Sequence, residues 1–511
     1  MSIVTLRFFI FAGFILAEYW LCPPKWRWVM LLLGSGYFLL ACTEYNLGVC
    51  AVFAAEALLT WLVALAIRRV PGERARWALT GLTVVVLAAV MILYKDIAFF
   101  INNINGIGSL LGKDLGLEMP QWLAPFGVSY FTLILIGYLL DVRWETVEQP
   151  QKNPLKMLLF AGYFPQLTSG PFSRYNDISE ALFGGAVWNR QRFYFGFQRF
   201  LWGLFKKLVL ADRLGMAVSV VYDNGLCQGA MVPVGAVLFV GQLYADFSGC
   251  MDIVIGLSEL FGIPLAENFR RPFSSENLSV FWRRWHMTLG FWLKDYLLYP
   301  TLKSRWMGKL RKACKKHLGK KASREIPTYV GMFVTWFCIG FWHGGSWKYI
   351  FGSGLFFFAM IAGGMLLKPL FQRLTDALHI DTEARYWRYF QRLRTACLFT
   401  ASVSFDRFVS FQAGLQAWKS ALTAFDPRVL VDGTLLQLGL DGKNLLVCGG
   451  CLAAMLAVSL LQERVGSVRA WLAEKNTLLS AGVSVLLFLA VLKFGCYGPD
   501  YQAASFIYAG F

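Results

Sequence analysis

An all-α, polytopic membrane fold is predicted by three observations: the composition of the chain, its long apolar runs, and the placement of its basic residues. Hydrophobic residues make up 57% of the 511 residues and charged residues only 16%, with a mean hydropathy of +0.51. That balance is too apolar for an ordinary water-soluble enzyme. Several runs approach the ~20 apolar residues that carry a helix across a bilayer. Helices are the natural spanning form because each satisfies its own backbone hydrogen bonds.

In chain order the expected spans are residues 6–21, 28–42, 47–67, 77–93, 125–140, 231–261, 327–341, 349–367, 445–461 and 478–492. The stretches near 156–170, 193–210 and 272–300 are shorter or more polar and read as re-entrant or interfacial, so ten to twelve passes are expected. The first run opens with a single charged residue, Arg7, carries one more, Glu18, near its end, and no small-residue cleavage pattern follows before Cys22-Pro-Pro24. It reads as a first span, not a removed signal. Lys25 and Arg27, then Arg68, Arg69, Arg74 and Arg76, mark cytoplasmic loops, while the loop around Glu44 lacks basic residues and is expected outside with the N-terminus. Residues 301–324 carry ten Lys and Arg and no acid until Glu325. This loop is expected on the cytoplasmic side.

The net charge of +18 is spread over several such loops, which argues against nucleic-acid binding. The 301–324 cluster has two readings: topology with attraction to anionic lipid headgroups, or reception of an anionic cytosolic donor such as coenzyme A. The eleven cysteines lie mostly in apolar segments and form no disulfide pattern. Cys448-Gly-Gly-Cys451 reads as small-residue helix packing, and no metal-ligand spacing is present. One integral domain is expected, with helical flanks at 1–119 and 366–511 around a catalytic middle at 120–365.

That middle holds the chemistry-bearing residues. His343 lies in a nearly chargeless apolar run, Thr335 to Trp347, and His286 in Phe281-Trp-Arg-Arg-Trp-His286; the chain has only four histidines. An ionisable residue at membrane depth is a functional-site hypothesis by default, and an imidazole titrating near 6.5 suits proton transfer. Pro165, Gly170 and Pro171 interrupt any helix through 163–175. Gly203-Leu-Phe-Lys-Lys207 places paired lysines at an interface. Asp246 and Asp252 put two carboxylates in an apolar region, either orienting an imidazole or pairing with cations. Arg283, Arg284 and Lys294 are candidates for donor phosphates or for snorkelling.

Six segments together, Tyr163-Phe-Pro-Gln-Leu167, Gly203-Leu-Phe-Lys-Lys207, Asp246-Phe-Ser-Gly249, Glu267-Asn-Phe269, Phe281-Trp-Arg-Arg-Trp-His286 and Trp342-His-Gly344, resemble the membrane-bound O-acyltransferase (MBOAT) family. The alginate O-acetylation branch is the most similar, with the teichoic-acid D-alanyl transferase as a relative. The likeness runs to Phe494-Gly-Cys-Tyr-Gly-Pro499 and Phe506-Ile-Tyr508. The resemblance implies a membrane tunnel through which an acyl group, from acetyl-CoA or a carrier-bound thioester, reaches a hydroxyl on a surface polysaccharide or wall polymer. It also implies an extracytoplasmic partner of the SGNH-hydrolase type, a catalytic role for His343, and a place for His286 beside the tunnel. Trp285, Trp342 and Gly344 are carried over as supporting residues. Gly344 and Gly345 either expose amides toward an oxyanion or serve packing. Cys250-Met251, Arg270-Arg271 and Tyr299-Pro-Thr-Leu302 depart from the family pattern and leave the acyl group and acceptor open. A polysaccharide or lipid transporter would explain the spans but not the two histidine segments.

Overall fold

The computed structural model describes residues 1–120, 125–167 and 169–498. Thr168, Pro499 and the Phe506-Ile-Tyr508 segment lie outside the described residues. Among the described residues there is no strand, only an isolated antiparallel pairing of Phe269 with Trp285. Each of the ten expected spans falls on a helix. Among the described residues six helices are long and apolar enough to cross a membrane: Leu47–Arg69, Glu73–Lys95, Met231–Leu260, Lys348–Leu366, Gly442–Val465 and Thr477–Phe494. The count is below the ten to twelve expected because Leu6–Leu21, Arg27–Cys42 and Val128–Arg143 have 16 residues each. Such a helix rises ~24 Å, short of a ~30 Å hydrocarbon core. The remaining expected span, 327–341, is the last part of helix Arg305–Trp342. The chain is a multi-pass membrane protein.

Two compact units divide it. The first comprises Met1–Asp212, Ala245–Glu267 and the described residues from Gly450 onward. Its core is helix Val128–Arg143, buried on almost every residue, with Phe131 and Leu135 fully enclosed. Inside it the Thr132 hydroxyl donates to Glu56 at 2.7 Å, which meets the need of a buried carboxylate for a donor. Glycines set a second contact, between helix Arg190–Leu204 and the 245–260 part of helix Met231–Leu260. A Cβ on Gly203 would stand 2.6 Å from the Ile253 nitrogen, and one on Gly256 would stand 2.6 Å from the Phe200 nitrogen. Only glycine permits the two backbones to approach so closely.

The second unit comprises Arg213–Tyr244 and Asn268–Gly449. Rings build its core. Trp285 is 1% exposed and packs against Phe399 at 4.9 Å, Phe269 at 5.0 Å, Phe281 at 5.7 Å and Tyr244 at 5.9 Å between ring centroids. Trp282 continues the cluster to Phe357 and Trp336 at 4.9 and 5.1 Å.

The segment Arg305–Trp342 is not one straight rod. Gly319 leaves the helical region with φ 87° and ψ 179°. The Ser323 hydroxyl donates to the Arg311 carbonyl at 2.9 Å, although in a continuous helix those residues would lie ~18 Å apart. Farther out, a Cβ on Gly331 would meet Leu302 at 2.9 Å. The pairs 311/323 and 302/331 share a midpoint near 317, so two helical arms run antiparallel about Gly319. The basic stretch expected as a loop is therefore the tip of a helical hairpin, and its ten Lys and Arg side chains are all exposed. Mutual repulsion and hydration keep such a cluster on the surface.

Candidate active site

Both candidate histidines lie in the second unit. His343 ends the longer hairpin arm. Its N–H donates to the Ile339 carbonyl at 3.1 Å, and its side chain is 6% exposed. The chain then turns sharply because Gly344 and Gly345 have φ of 152° and 48°, values that glycine accepts readily. Their amides donate to the Phe341 carbonyl at 3.2 and 2.9 Å. Those amides are thus engaged in ending the helix, and the oxyanion role considered for them gives way to a packing role. A Cβ on Gly344 would stand 2.9 Å from the Tyr349 ring.

His286 is 2% exposed and precedes the short helix Met287–Leu293 with φ 48° and ψ 50°, a left-handed conformation. For a non-glycine residue this costs about 1 kcal/mol or more and persists only where the surroundings impose it. Here they do. Residues 268–270 lie alongside: Met287 N–H donates to the Asn268 carbonyl at 3.0 Å, Arg270 N–H donates to the Arg284 carbonyl at 2.9 Å, and Phe269 pairs with Trp285.

Trp342 joins the two imidazoles. Its ring lies 5.3 Å from that of His343 and 6.3 Å from that of His286. The histidines are also within electrostatic reach of one another, so charge on one opposes charge on the other. Two imidazoles, 57 residues apart in sequence (343 − 286), are gathered with an indole into one buried site.

The remaining candidates separate. Asp246 receives the Lys207 ammonium at 2.6 Å, and Lys207 also pairs with Asp212 at 2.9 Å. Asp252 receives Lys206 at 2.5 Å and Arg199 at 2.9 Å. Arg199 continues to Glu267 at 2.6 Å and Glu259 at 3.8 Å, and Arg469 closes on Glu259 at 2.5 Å. These carboxylates pair with cations, as one of the two sequence readings held. The lysines expected at an interface are instead buried, with Lys206 5% and Lys207 1% exposed, because the glycine seam brings their π-helical stretch, Phe205–Ala211, against the carboxylates. Arg283 and Lys294 are exposed. Lys294 lies over the Tyr299 ring at 5.4 Å, and Arg284 donates to Ser274 Oγ at 2.7 Å.

Sequence reasoning passed over Asn268, Arg199 and the Asp406 cluster. Asn268 stood within a motif already noted, and its neighbour Thr288 held the second half of the signal. Asp406 accepts a hydrogen bond from Ser353 Oγ, while Lys348 donates to the carbonyls of Asp406 and Phe408 at 3.0 and 2.9 Å. Nothing in the sequence marked that pairing.

Comparison with known proteins bears on this arrangement. The family model for MBOAT, the membrane-bound O-acyltransferase family, matches residues 79–313, a stretch that includes His286 and ends before His343. The chain is 30% identical to the probable alginate O-acetylase AlgI of Pseudomonas putida, over 67% of this chain and 66% of that protein. It is 28% identical to the peptidoglycan O-acetyltransferase of Helicobacter pylori, over 66% and 65%, and 28% identical to the teichoic acid D-alanyltransferase of Bacillus subtilis, over 45% and 57%. The match thus spans between 57 and 66% of the length of these relatives, less than two thirds in each case. With the histidine segments gathered around Trp342 and these relatives sharing its sequence, the chain belongs to the membrane-bound O-acyltransferase family.

Proposed function

We propose that this protein is an O-acyltransferase that moves an acetyl group from a cytosolic thioester, acetyl-CoA or a carrier-bound acyl group, to a hydroxyl of an exported polysaccharide or wall polymer. The observation that carries this reading is the buried pair His286 and His343 meeting at Trp342. An alcohol is a weak nucleophile at neutral pH. In the proposed step, His343 accepts the hydroxyl proton as the oxygen attacks the thioester carbonyl; the C–O bond forms, the C–S bond breaks, and the imidazolium returns the proton to the departing thiolate. Such base catalysis contributes ~10²- to 10⁴-fold.

The enclosed surroundings favour this chemistry, because a site shielded from water limits hydrolysis of the thioester. The named relatives act on alginate, peptidoglycan and teichoic acid, polymers that lie outside the cytoplasm. This supports placement in the cytoplasmic membrane, with the basic hairpin tip on the cytoplasmic face and the N-terminus outside. The same step serves an alternative route in which the attacking hydroxyl belongs to an SGNH-type partner outside the membrane, which then passes the acyl group to the polymer.

The test is the ester-linked acyl content of surface polymers, measured by alkaline release and mass spectrometry in wild-type, deletion and His343→Ala strains with matched protein levels. Loss of acetate in both mutant strains is expected. Loss of D-alanine would replace acetyl with D-alanyl transfer to teichoic acid. An ester lost on deletion but kept in His343→Ala would remove His343 from the chemistry, and no ester change in either strain would move the protein to transport or assembly.

A further inference from the structure

Asn268 is fully buried, and its side-chain oxygen gathers three neighbours: Thr288 N at 3.1 Å, Thr288 Oγ1 at 2.9 Å and His286 Nδ1 at 3.2 Å. A backbone N–H can only donate, so the bond from Thr288 N identifies the Asn268 atom as the carbonyl oxygen and fixes the orientation of the amide. An imidazole nitrogen facing a carbonyl oxygen must itself carry the proton. The neutral ring of His286 is then protonated on Nδ1, and its lone pair is on Nε2. In a histidine the bond made by one nitrogen decides the state of the other.

We infer that Asn268 is a positioning residue that holds His286 as the Nδ1–H tautomer and thereby presents Nε2 as a proton acceptor within the buried site. The backbone is arranged to the same end. Met287 N–H is bound to the Asn268 carbonyl, so the Asn268 main chain grips the residue after His286 while its side chain grips the ring. The left-handed turn at His286 is what lets one asparagine reach both. Hydroxyl and amide of Thr288 complete the cradle and keep the Asn268 oxygen pointed at the imidazole. This deepens the acyl-transfer reading and rests on it only for its catalytic consequence, because the tautomer is a property of the resting protein.

The chain has only four histidines, at 286, 317, 343 and 379, so histidine-selective ¹⁵N labelling of the full-length protein in lipid nanodiscs gives a readable solid-state NMR spectrum. His286 is assigned by the signal lost in His286→Gln. At about pH 8.5, about two units above the ordinary imidazole value, wild-type His286 should show protonated Nδ1 and unprotonated Nε2. Protonated Nε2 in the wild type overturns the inference without any variant or substrate. Asn268→Leu should release the ring to a mixture of tautomers, whereas Asn268→Asp keeps an acceptor and should retain Nδ1–H. An unchanged tautomer in a folded Asn268→Leu protein also overturns it. In the transfer assay Asn268→Leu should lose about 10- to 100-fold, with Asn268→Asp restoring most of it. Equal losses in the two variants would leave Asn268 a merely structural residue. If wild-type protein transfers nothing while the NMR result holds, the acyl-transfer reading fails and the tautomer assignment stands.

Discussion

Replacing Lys207 with methionine tests what the buried charges do. Lys207 is 1% exposed and serves two carboxylates, Asp246 at 2.6 Å and Asp212 at 2.9 Å, themselves 3 and 4% exposed at the side chain. Methionine preserves most of the volume and removes the cation, so the variant leaves two buried carboxylates without this ammonium. Breaking one buried pair from one side costs about 3–5 kcal/mol, and a lysine with two such partners belongs at the upper end of that range. The partners distinguish this from a packing effect. Adding Asp246→Asn to Lys207→Met should recover at least ~1 kcal/mol, because the amide no longer needs a counter-charge. Adding Arg428→Met, which removes an exposed partner of Asp426, should recover nothing. Chemical unfolding in mixed micelles, followed by intrinsic tryptophan fluorescence, gives the four free energies. A cost below ~1 kcal/mol for Lys207→Met, the value of a surface pair, would refute the reasoning, as would the lack of any recovery in the double variant.

Two further outcomes follow from other parts of the fold. Gly256→Ala places a methyl 2.6 Å from the Phe200 nitrogen and should cost about 1–3 kcal/mol by overpacking, while Gly13→Ala, with nothing within 4 Å, should be neutral in the same thermal-shift assay. Burial pushes the Asp406 carboxyl up to about 7, against smaller lowering effects from the Ser353 hydrogen bond and the Lys348 charge. The folded state then holds this proton more tightly than the unfolded chain, whose aspartate titrates near ~3.9. The resulting stabilisation is complete below that lower value and is lost as pH rises through about 7. Melting temperature should accordingly fall between pH 5 and pH 8 in wild type, and Asp406→Asn should remove that part of the slope.

Helix positions were legible in the sequence because an apolar run of sufficient length has few alternatives in a bilayer. Their number was less so: Val128–Arg143 reads as a span by hydropathy, yet it is 16 residues long and enclosed by protein. His286 and His343 stood out because an imidazole in an apolar run needs a reason. What the sequence withheld was pairing. Asp246 could have faced an imidazole or a cation, and only the approach of backbones at Gly203 and Gly256 decides for Lys207. The basic segment looked like a loop because charge density is visible in sequence, whereas the reversal rests on one left-handed φ at Gly319. Asn268 was hidden for a similar reason, since its part depends on the unusual turn taken by His286.

The hairpin also works as a ruler. From Gly319 to His343 the longer arm runs as helix for 23 residues, Lys320–Trp342, or about 35 Å at 1.5 Å per residue. A small anion gripped by the lysines at the tip is therefore about a bilayer's thickness, measured along the arm, from the imidazole. Under the function proposed above, binding of a donor's phosphates at the tip and attack on its carbonyl at His343 would be separate events, joined only by travel of the reactive end along that length. On that proposal, altering the ten cations would change how a donor arrives while leaving the rate of the chemical step at the far end of the arm unchanged.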